Sequence, residues 1–435
     1  HRNKCVQILW YGVHPILFTI YRKVDIHFPG LLQELILNIL VEYILQLIFR
    51  FCEVQKRDIF YFGKNDSLFI SHFFSRGKNC RGCCQKKGIR YMGIHHVKSL
   101  DLHAKWPCGE KDLITDVPGV LVGHTTLTDP AKDIHTGVTA VLPHGGNLFR
   151  DKVMAACAVI NGFGKSIGLL QVQELGTIET PIILTNTMSI GTAYTALCKY
   201  MLEQNPDIGV TTGTVNCLVT ECNDSSLNDI RGMHVQESDV RNAIETAAQD
   251  FAEGCVGGGN GMRCLGLKGG IGSASRVLEI DGAKYTVGAL VMSNFGAPGN
   301  LVIGGQHYDT SKAHVSDVKD RGSIIMILAT DIPLSERQLG RVAKRAMISL
   351  GRVGSFCGNG SGDIAIAFTT ANRIPHDSDH DILTCRMFYD ESIDKVFEAS
   401  VEAVEEAIIS SLYHAETTHG IRGKTAVSLR DFLNH

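Results

Sequence analysis

The sequence predicts an α/β fold with sheets sandwiched between helices, and three observations carry that prediction. Short apolar or alternating runs of strand length recur after Leu113: Val138–Leu142, Pro181–Leu184, Lys284–Met292, Ile324–Ala329 and Ile364–Thr369. Stretches with the 3.6-residue apolar period of helices lie between and after them. Strands grouped between long helices in this way bury their faces by layering. The third observation is compositional: 7 of the 45 glycines fall in residues 1–105, so the turn-rich, enzyme-like sequence begins after them.

The first hundred residues are of another kind. Residues 1–105 hold 16 Lys/Arg against 7 Asp/Glu, a net +9, whereas the remainder carries −12. They also hold 15 of the 31 aromatic residues. The chain opens at His1 and not at methionine, so residues 1–108 read as a basic, aromatic extension of a fragment, processed form or doubtful gene model, ahead of a domain over 109–435. Within it Leu31–Phe51 is apolar, but Glu34, Asn38, Glu42, Gln46 and Arg50 recur every four residues. That stripe suits a helix with one polar edge, packed on a partner or lying on a surface. Acidic groups at Glu34 and Glu42 make a membrane span costly, so membrane contact by residues 31–51 is the lesser expectation.

Cys80-Arg-Gly-Cys83-Cys84 lacks the second pair that zinc would need, and the eight cysteines after residue 150 show no framework spacing. The expectation is unused, reduced thiols in a cytoplasmic protein, with no metal and no cofactor.

The helices follow in order. Ser238–Phe251 and Glu391–Leu412 carry helical periodicity. Ser335-Glu-Arg-Gln338 resembles a capping box and opens a helix with Leu339, Val342, Ala343, Ala346, Met347 and Leu350 on one face, stopped by Gly351 and Gly354.

Between a polar stretch, Thr310 to Asp320, and the apolar run Ile324–Ala329 stands Arg321-Gly322-Ser323. A Gly-Ser bond at such a junction has the layout of a self-cleaving precursor. The serine hydroxyl can attack the Gly322 carbonyl, and hydrolysis of the ester would leave Ser323 as a new N-terminus. Its α-amine, with a pKa of roughly 7.7–8.0, would serve as a base near neutral pH. An ordinary turn before a strand is the plain alternative.

The surroundings of that bond carry a resemblance. Gly322-Ser-Ile-Ile-Met-Ile-Leu-Ala-Thr-Asp-Ile-Pro-Leu334 is preceded, in order, by Leu113-Ile-Thr-Asp-Val-Pro-Gly-Val-Leu-Val-Gly-His124, Thr136-Gly-Val-Thr-Ala-Val-Leu-Pro143 and Thr185-Asn-Thr-Met-Ser-Ile-Gly191. Leu227-Asn-Asp229, Gly257-Gly-Gly-Asn-Gly-Met262, Lys268-Gly-Gly-Ile-Gly-Ser-Ala-Ser275 and Asn294-Phe-Gly296 come next, and Gly360-Ser-Gly-Asp-Ile364 follows the bond. Together these blocks resemble the P1 family of self-processing aminopeptidases, the group of the L-aminopeptidase/D-esterase DmpA and the β-aminopeptidases, over residues 113–434.

The resemblance implies a four-layered α-β-β-α sandwich, cleaved between Gly322 and Ser323 into 109–322 and 323–435. It implies Ser323 as nucleophile, Asn294 as an oxyanion donor, and Ser361 with Asp363 as a relay to the new amine or hydroxyl. Residues two apart in an extended segment share a face, so Ser361 and Asp363 are expected to act together beside Ser323. Small peptides, amino-acid amides or esters are the implied substrates, and a homotetramer of cleaved heterodimers the implied assembly. Two positions depart from the pattern. Asn223 stands where members place a tyrosine that assists the oxyanion, and its amide can still donate there. Met188 stands where histidine is common.

Other motifs read as decoys. Gly164-Lys165-Ser166 lacks the first glycine of a phosphate loop, and Gly270-Ile-Gly272 lacks the third glycine of a dinucleotide fingerprint, so its glycines are expected to permit close packing. His376-Asp-Ser-Asp-His380-Asp381 reads as a solvated loop. The acidic main part has no basic stripe, which argues against nucleic acid. Two alternatives stay open: a catalytically silent structural or binding relative, and an acyltransferase of the ornithine acetyltransferase type, although the latter use threonine at the cleavage point.

Overall fold

The computed structural model describes residues 100, 102–313 and 321–434. The Leu31–Phe51 stripe, the Cys80–Cys84 cluster and the loop residues 314–320 lie outside the described residues.

Two large sheets organise the domain. The first contains β1 (Leu121–Asp129), β2 (Ile134–Leu142), β5 (Ile182–Asn186) and β6 (Leu218–Cys222), in the order β1-β2-β5-β6. The second contains β3 (Asp151–Gly162), β4 (Thr177–Ile178), β7 (Gly270–Ile280), β8 (Ala283–Asn294), β9 (Arg321–Thr330) and β10 (Gly360–Pro375), in the order β4-β3-β10-β9-β8-β7. The main helices are α1 (Leu169–Leu175), α2 (Ile190–Gln204), α3 (Glu237–Glu245), α4 (Glu336–Arg352), α5 (Asp394–Tyr413) and α6 (Leu429–Asn434).

The layering follows from the two-residue alternation of the strands. In β9, Ile325, Ile327 and Ala329 join Ile364, Ile366 and Phe368 of β10 and Leu290 and Met292 of β8 in a core shared with Val141, Leu184 and Leu218 of the first sheet. The intervening Ile324, Met326 and Leu328 face a second core with Leu339 and Val342 of α4 and Val404 and Ile408 of α5. On the far side, Ile183 and Val219 pack against Ala193 and Leu197 of α2 and Val240 and Ile244 of α3. The result is the expected α-β-β-α sandwich. Each sheet is buried on both faces, which explains why β9 reads as an unbroken apolar run.

Glycines set the close approaches between layers. A Cβ on Gly272 of β7 would stand 2.0 Å from the Ala407 carbonyl of α5, and one on Gly270 would stand 2.2 Å from the Gly254 carbonyl. The dinucleotide-like run is therefore packing glycine, serving the sheet–helix contact.

Several boundaries differ from the sequence reading. α3 ends at Glu245, not Phe251, because Ala248 exchanges backbone hydrogen bonds of 3.0 Å with Val122 of β1. A tertiary partner thus replaces the last helical turn. α4 has its capping box, Ser335 Oγ accepting from Gln338 N at 3.3 Å and Gln338 Oε1 accepting from Ser335 N at 3.0 Å. It runs through Gly351 and stops ahead of Gly354, whose φ is +100°. Met347, expected on its buried face, is 51% exposed. α5 starts at Asp394 after a short 3₁₀ turn at Asp390–Ser392. Residues 102–108 also belong to the packed structure: Leu102 is buried, and Lys105 N and Trp106 N donate to Glu402 of α5 at 3.1 and 3.2 Å.

Candidate active site

The nucleophile candidate sits inside the ladder. β9 starts at Arg321, so Gly322 and Ser323 are its second and third residues and not the end of the preceding loop. Ser323 pairs with Asn294, the last residue of antiparallel β8, and with Gly362 of parallel β10. Ser323 is 3% exposed, and its hydroxyl donates to the Gly322 carbonyl at 2.7 Å. Alternation points it into the space between the sheets, on the side of Ile325.

Gly322 is fixed by proximity. A Cβ there would lie 1.9 Å from the Asn294 carbonyl oxygen, so β8 and β9 can pair at this point only if the residue is glycine. Gly362 has the same character and was not singled out from the sequence. Its Cβ would come 2.8 Å from Ser323 Oγ and 2.6 Å from the Phe163 carbonyl. The space a side chain would fill is where the hydroxyl stands.

Asn294, 5% exposed, is held at both ends of its amide. Its Oδ1 accepts from Arg263 N at 2.9 Å, and its Nδ2 donates to the Asn223 carbonyl at 2.9 Å. An amide nitrogen carries two hydrogens, and the Asn223 carbonyl takes one. Asn223 itself is exposed, and its side-chain oxygen accepts from Ser225 N at 2.9 Å in a local turn. Its main chain, not its side chain, therefore touches Asn294.

Ser361 and Asp363 are each 1% exposed, and the serine hydroxyl donates to Asp363 Oδ1 at 2.5 Å. This is a short bond of the charge-assisted kind. In the ladder Ser361 pairs with Gly322 and Asp363 with Ile324, one residue to either side of Ser323. The alternation that carries Ile364 and Ile366 between the sheets turns this pair towards the opposite face from the Ser323 hydroxyl. The Ser323 backbone nitrogen, in the plane of the sheet, belongs to the ladder position between those two pairings.

A buried acid that the sequence reading left without a role stands against the loop that packs on β10. Glu221 is the fourth residue of β6, two before Asn223, and is 2% exposed. Its Oε1 accepts from Lys165 N at 2.8 Å and its Oε2 from the Thr187 hydroxyl. Gly164 lies between this carboxylate and Ile364 of β10: its Cβ would be 3.4 Å from Glu221 Oε1 and 3.8 Å from Ile364 Cδ1. Gly164-Lys165-Ser166 is thus a loop closing on a carboxylate, the opposite of a phosphate cradle. Met188 follows Thr187 and is 47% exposed. The other charged decoy, His376–Asp381, is exposed beyond His376, which stacks on Phe149 at 4.3 Å between ring centroids.

A buried serine near a strand start, after a glycine that admits no side chain, with an amide beside it and a buried Ser–Asp pair on the next strand, is the arrangement against which the comparisons stand. Residues 112–426 match the model of peptidase family S58. The chain belongs to peptidase family S58. It is a hydrolase of the aminopeptidase type with an N-terminal nucleophile, and its relatives fit that placement. The chain is 37% identical over 341 residues to the β-peptidyl aminopeptidase BapA of Sphingosinicella microcystinivorans, covering 73% of this chain and 85% of that one.

Among solved structures, a protein of Pyrococcus horikoshii is 52% identical with a TM-score of 0.71, over 77% of this chain and 96% of that chain. A Burkholderia β-aminopeptidase is 37% identical with a TM-score of 0.70, over 77% and 96%. The L-aminopeptidase D-Ala-esterase/amidase of Ochrobactrum anthropi, described as a variant of the Ntn-hydrolase fold and prototype of the serine aminopeptidases, is 36% identical with a TM-score of 0.69, over 78% and 98%. The family, its fold and its N-terminal nucleophile are the ones the motif blocks imply.

Proposed function

We propose that this chain cuts its own Gly322–Ser323 bond and then works as a serine aminopeptidase, releasing N-terminal residues from small peptides, amides or esters through an acyl-enzyme on Ser323. The observation that carries the reading is the Ser323 hydroxyl, buried and bonded to the carbonyl of the bond it is to attack.

In the first stage Oγ adds to the Gly322 carbonyl carbon. The hydroxyl proton passes to the departing nitrogen, the C–N bond breaks, and an ester joins Gly322 to Ser323. Water hydrolyses that ester, leaving the Gly322 carboxylate and a free amine on Ser323. In the second stage the amine accepts the hydroxyl proton while Oγ attacks the substrate carbonyl, and water then releases the acyl group.

The geometry suggests a role for each neighbour. Asn294 has an N–H beyond the one given to Asn223, suited to the oxyanion. Ser361 and Asp363 face away from the hydroxyl, so their relay serves the new amine, which lies in the sheet plane. An anionic Asp363 favours the protonated form of that amine and orients it through Ser361. Asn223 does not replace the family tyrosine with its side chain in this conformation. Glu221 is the acid available to hold the substrate ammonium, which would confine the enzyme to free N-termini.

β- or D-residues at that N-terminus are a further proposal, supported by the names of the relatives. So are the assembly as a tetramer of cleaved heterodimers, the division of the packed domain by a cut between Gly322 and Ser323, and a cytoplasmic setting. The Ser323 nucleophile and the S58 relatives favour hydrolysis over acyl transfer or a silent role.

Intact mass under denaturing conditions tests the core of the reading. Wild type is expected as two chains divided between Gly322 and Ser323, and Ser323→Ala as one. A folded wild type that stays uncut sinks it.

A further inference from the structure

Outside the active site, the structure brings together two thiols that no spacing rule connects. Cys198 lies on α2, and Cys217 is the residue just before β6. Their sulfurs are 3.3 Å apart. Cys217 is fully buried and Cys198 half-buried, both in the core between the first sheet and its helices. Three other thiols behave differently: Cys157, Cys222 and Cys255 donate to the carbonyls of Leu169, Met292 and Glu416.

A disulfide has its sulfurs about 2.05 Å apart, so this pair must close by roughly 1.2 Å, within the reach of side-chain rotation and small shifts of a surface helix. The two cysteines bracket the segment 199–216, which includes Asp207, the ion-pair partner of Arg150.

We propose that Cys198 and Cys217 form an oxidation site, a dithiol that closes to a disulfide and staples α2 to the start of β6. With a hydroperoxide as oxidant the steps balance. The Cys198 thiolate attacks a peroxide oxygen, the O–O bond breaks, and sulfenic acid and hydroxide form. The Cys217 sulfur then attacks the sulfenic sulfur, the S–O bond breaks, and water leaves. Overall two thiols and one hydrogen peroxide give one disulfide and two waters, the sulfurs losing two electrons to the peroxide.

The order of events follows from exposure. Cys198 is the more exposed of the two residues and so the first to meet an oxidant. Burial, the neighbouring thiol and the negative charge of Glu179 push the Cys217 thiol up, and the Tyr194 phenol of α2, itself pushed up by burial and the two thiols, faces the same pair, so loss of the Cys217 proton gates the second step. Closure is therefore faster in alkali.

The test treats the full chain with hydrogen peroxide at pH 7.5 and pH 9, followed by non-reducing peptide mapping and thermal melts. The expected result is one linked peptide containing Cys198 and Cys217, two hydrogens lighter than its parts, forming faster at pH 9. The melting temperature should rise by about 5 °C, the order expected for closing a loop of this length, and fall back with dithiothreitol. Cys217→Ser alters a buried site, so Cys198→Ser, at a half-exposed position, is the decisive variant and should abolish both the link and the shift. Conversion of Cys198 to sulfinic acid with Cys217 still a free thiol would overturn the proposal. So would a melting shift that persists in Cys198→Ser.

Discussion

Single residues at this site owe their identity to distances more than to conformational preference. Gly322 must be glycine because a side chain there would collide with the Asn294 carbonyl. Motif order points to Ser323, Asn294, Ser361 and Asp363, and the fold brings all four onto three adjacent strands. Gly362 was written in the same motif, yet its closeness to Ser323 Oγ is a property of strand register and invisible in one dimension. Glu221 was hidden for a similar reason, since its chemistry depends on loops from residues 164 and 187 that meet only in the fold. Its proposed role as ammonium anchor can be measured in the mature enzyme. Glu221→Gln should still process, and should raise KM for free-amine substrates about tenfold or more, the loss of one charge-assisted contact, with kcat changed much less. Unchanged KM would move the ammonium site elsewhere.

At the scale of elements, local signals worked where local physics decides and failed where partners decide. The α4 cap is local: Ser335 and Gln338 satisfy each other's backbone donors as the spacing predicts. Ser335→Ala should therefore cost about 1 kcal/mol in denaturant unfolding with activity intact, and no loss would mean the cap is idle. The truncation of α3 is not local, because the bridge from Ala248 to Val122 outcompetes helical propensity. The strand runs were found, but β9 reached back to Arg321 and β10 on to Pro375. Those extra residues are paired by neighbours rather than marked by apolarity. At the start of β9 they include the Gly322–Ser323 bond, which a hydrophobicity pattern alone would have left in a loop.

Across the whole molecule, buried ionisable groups link stability to pH. Burial raises Asp224 and Glu253 to about 7, and burial lowers His124 to about 4. A carboxyl with a raised folded pKa favours the native state fully below its ordinary value near 4, and that advantage is lost as pH rises through 7. His124 acts in the other sense, its share being present above 6.5 and lost as pH falls towards 4. Glu253 accepts from Ser273 N and Ser410 Oγ, each at 2.6 Å, which an amide oxygen can also do. Glu253→Gln should thus gain on wild type between pH 5 and pH 8 by up to roughly 3 kcal/mol in thermal or denaturant melts, and a constant difference would refute the linkage.

The strand order of the second sheet has a last consequence. A cut before Ser323 would give β9 and β10 to one chain, while β8 and β3, which flank them, stay with the other. The two products would be woven through one sheet, held by the same ladders as before. Folding, however, would have changed its molecularity. The uncut chain folds alone, while the cut pair, once unravelled, must meet again. Recovery after denaturation should then depend on protein concentration for wild type and not for Ser323→Ala. The enzyme would gain its active terminus by a step that its own folding cannot retrace.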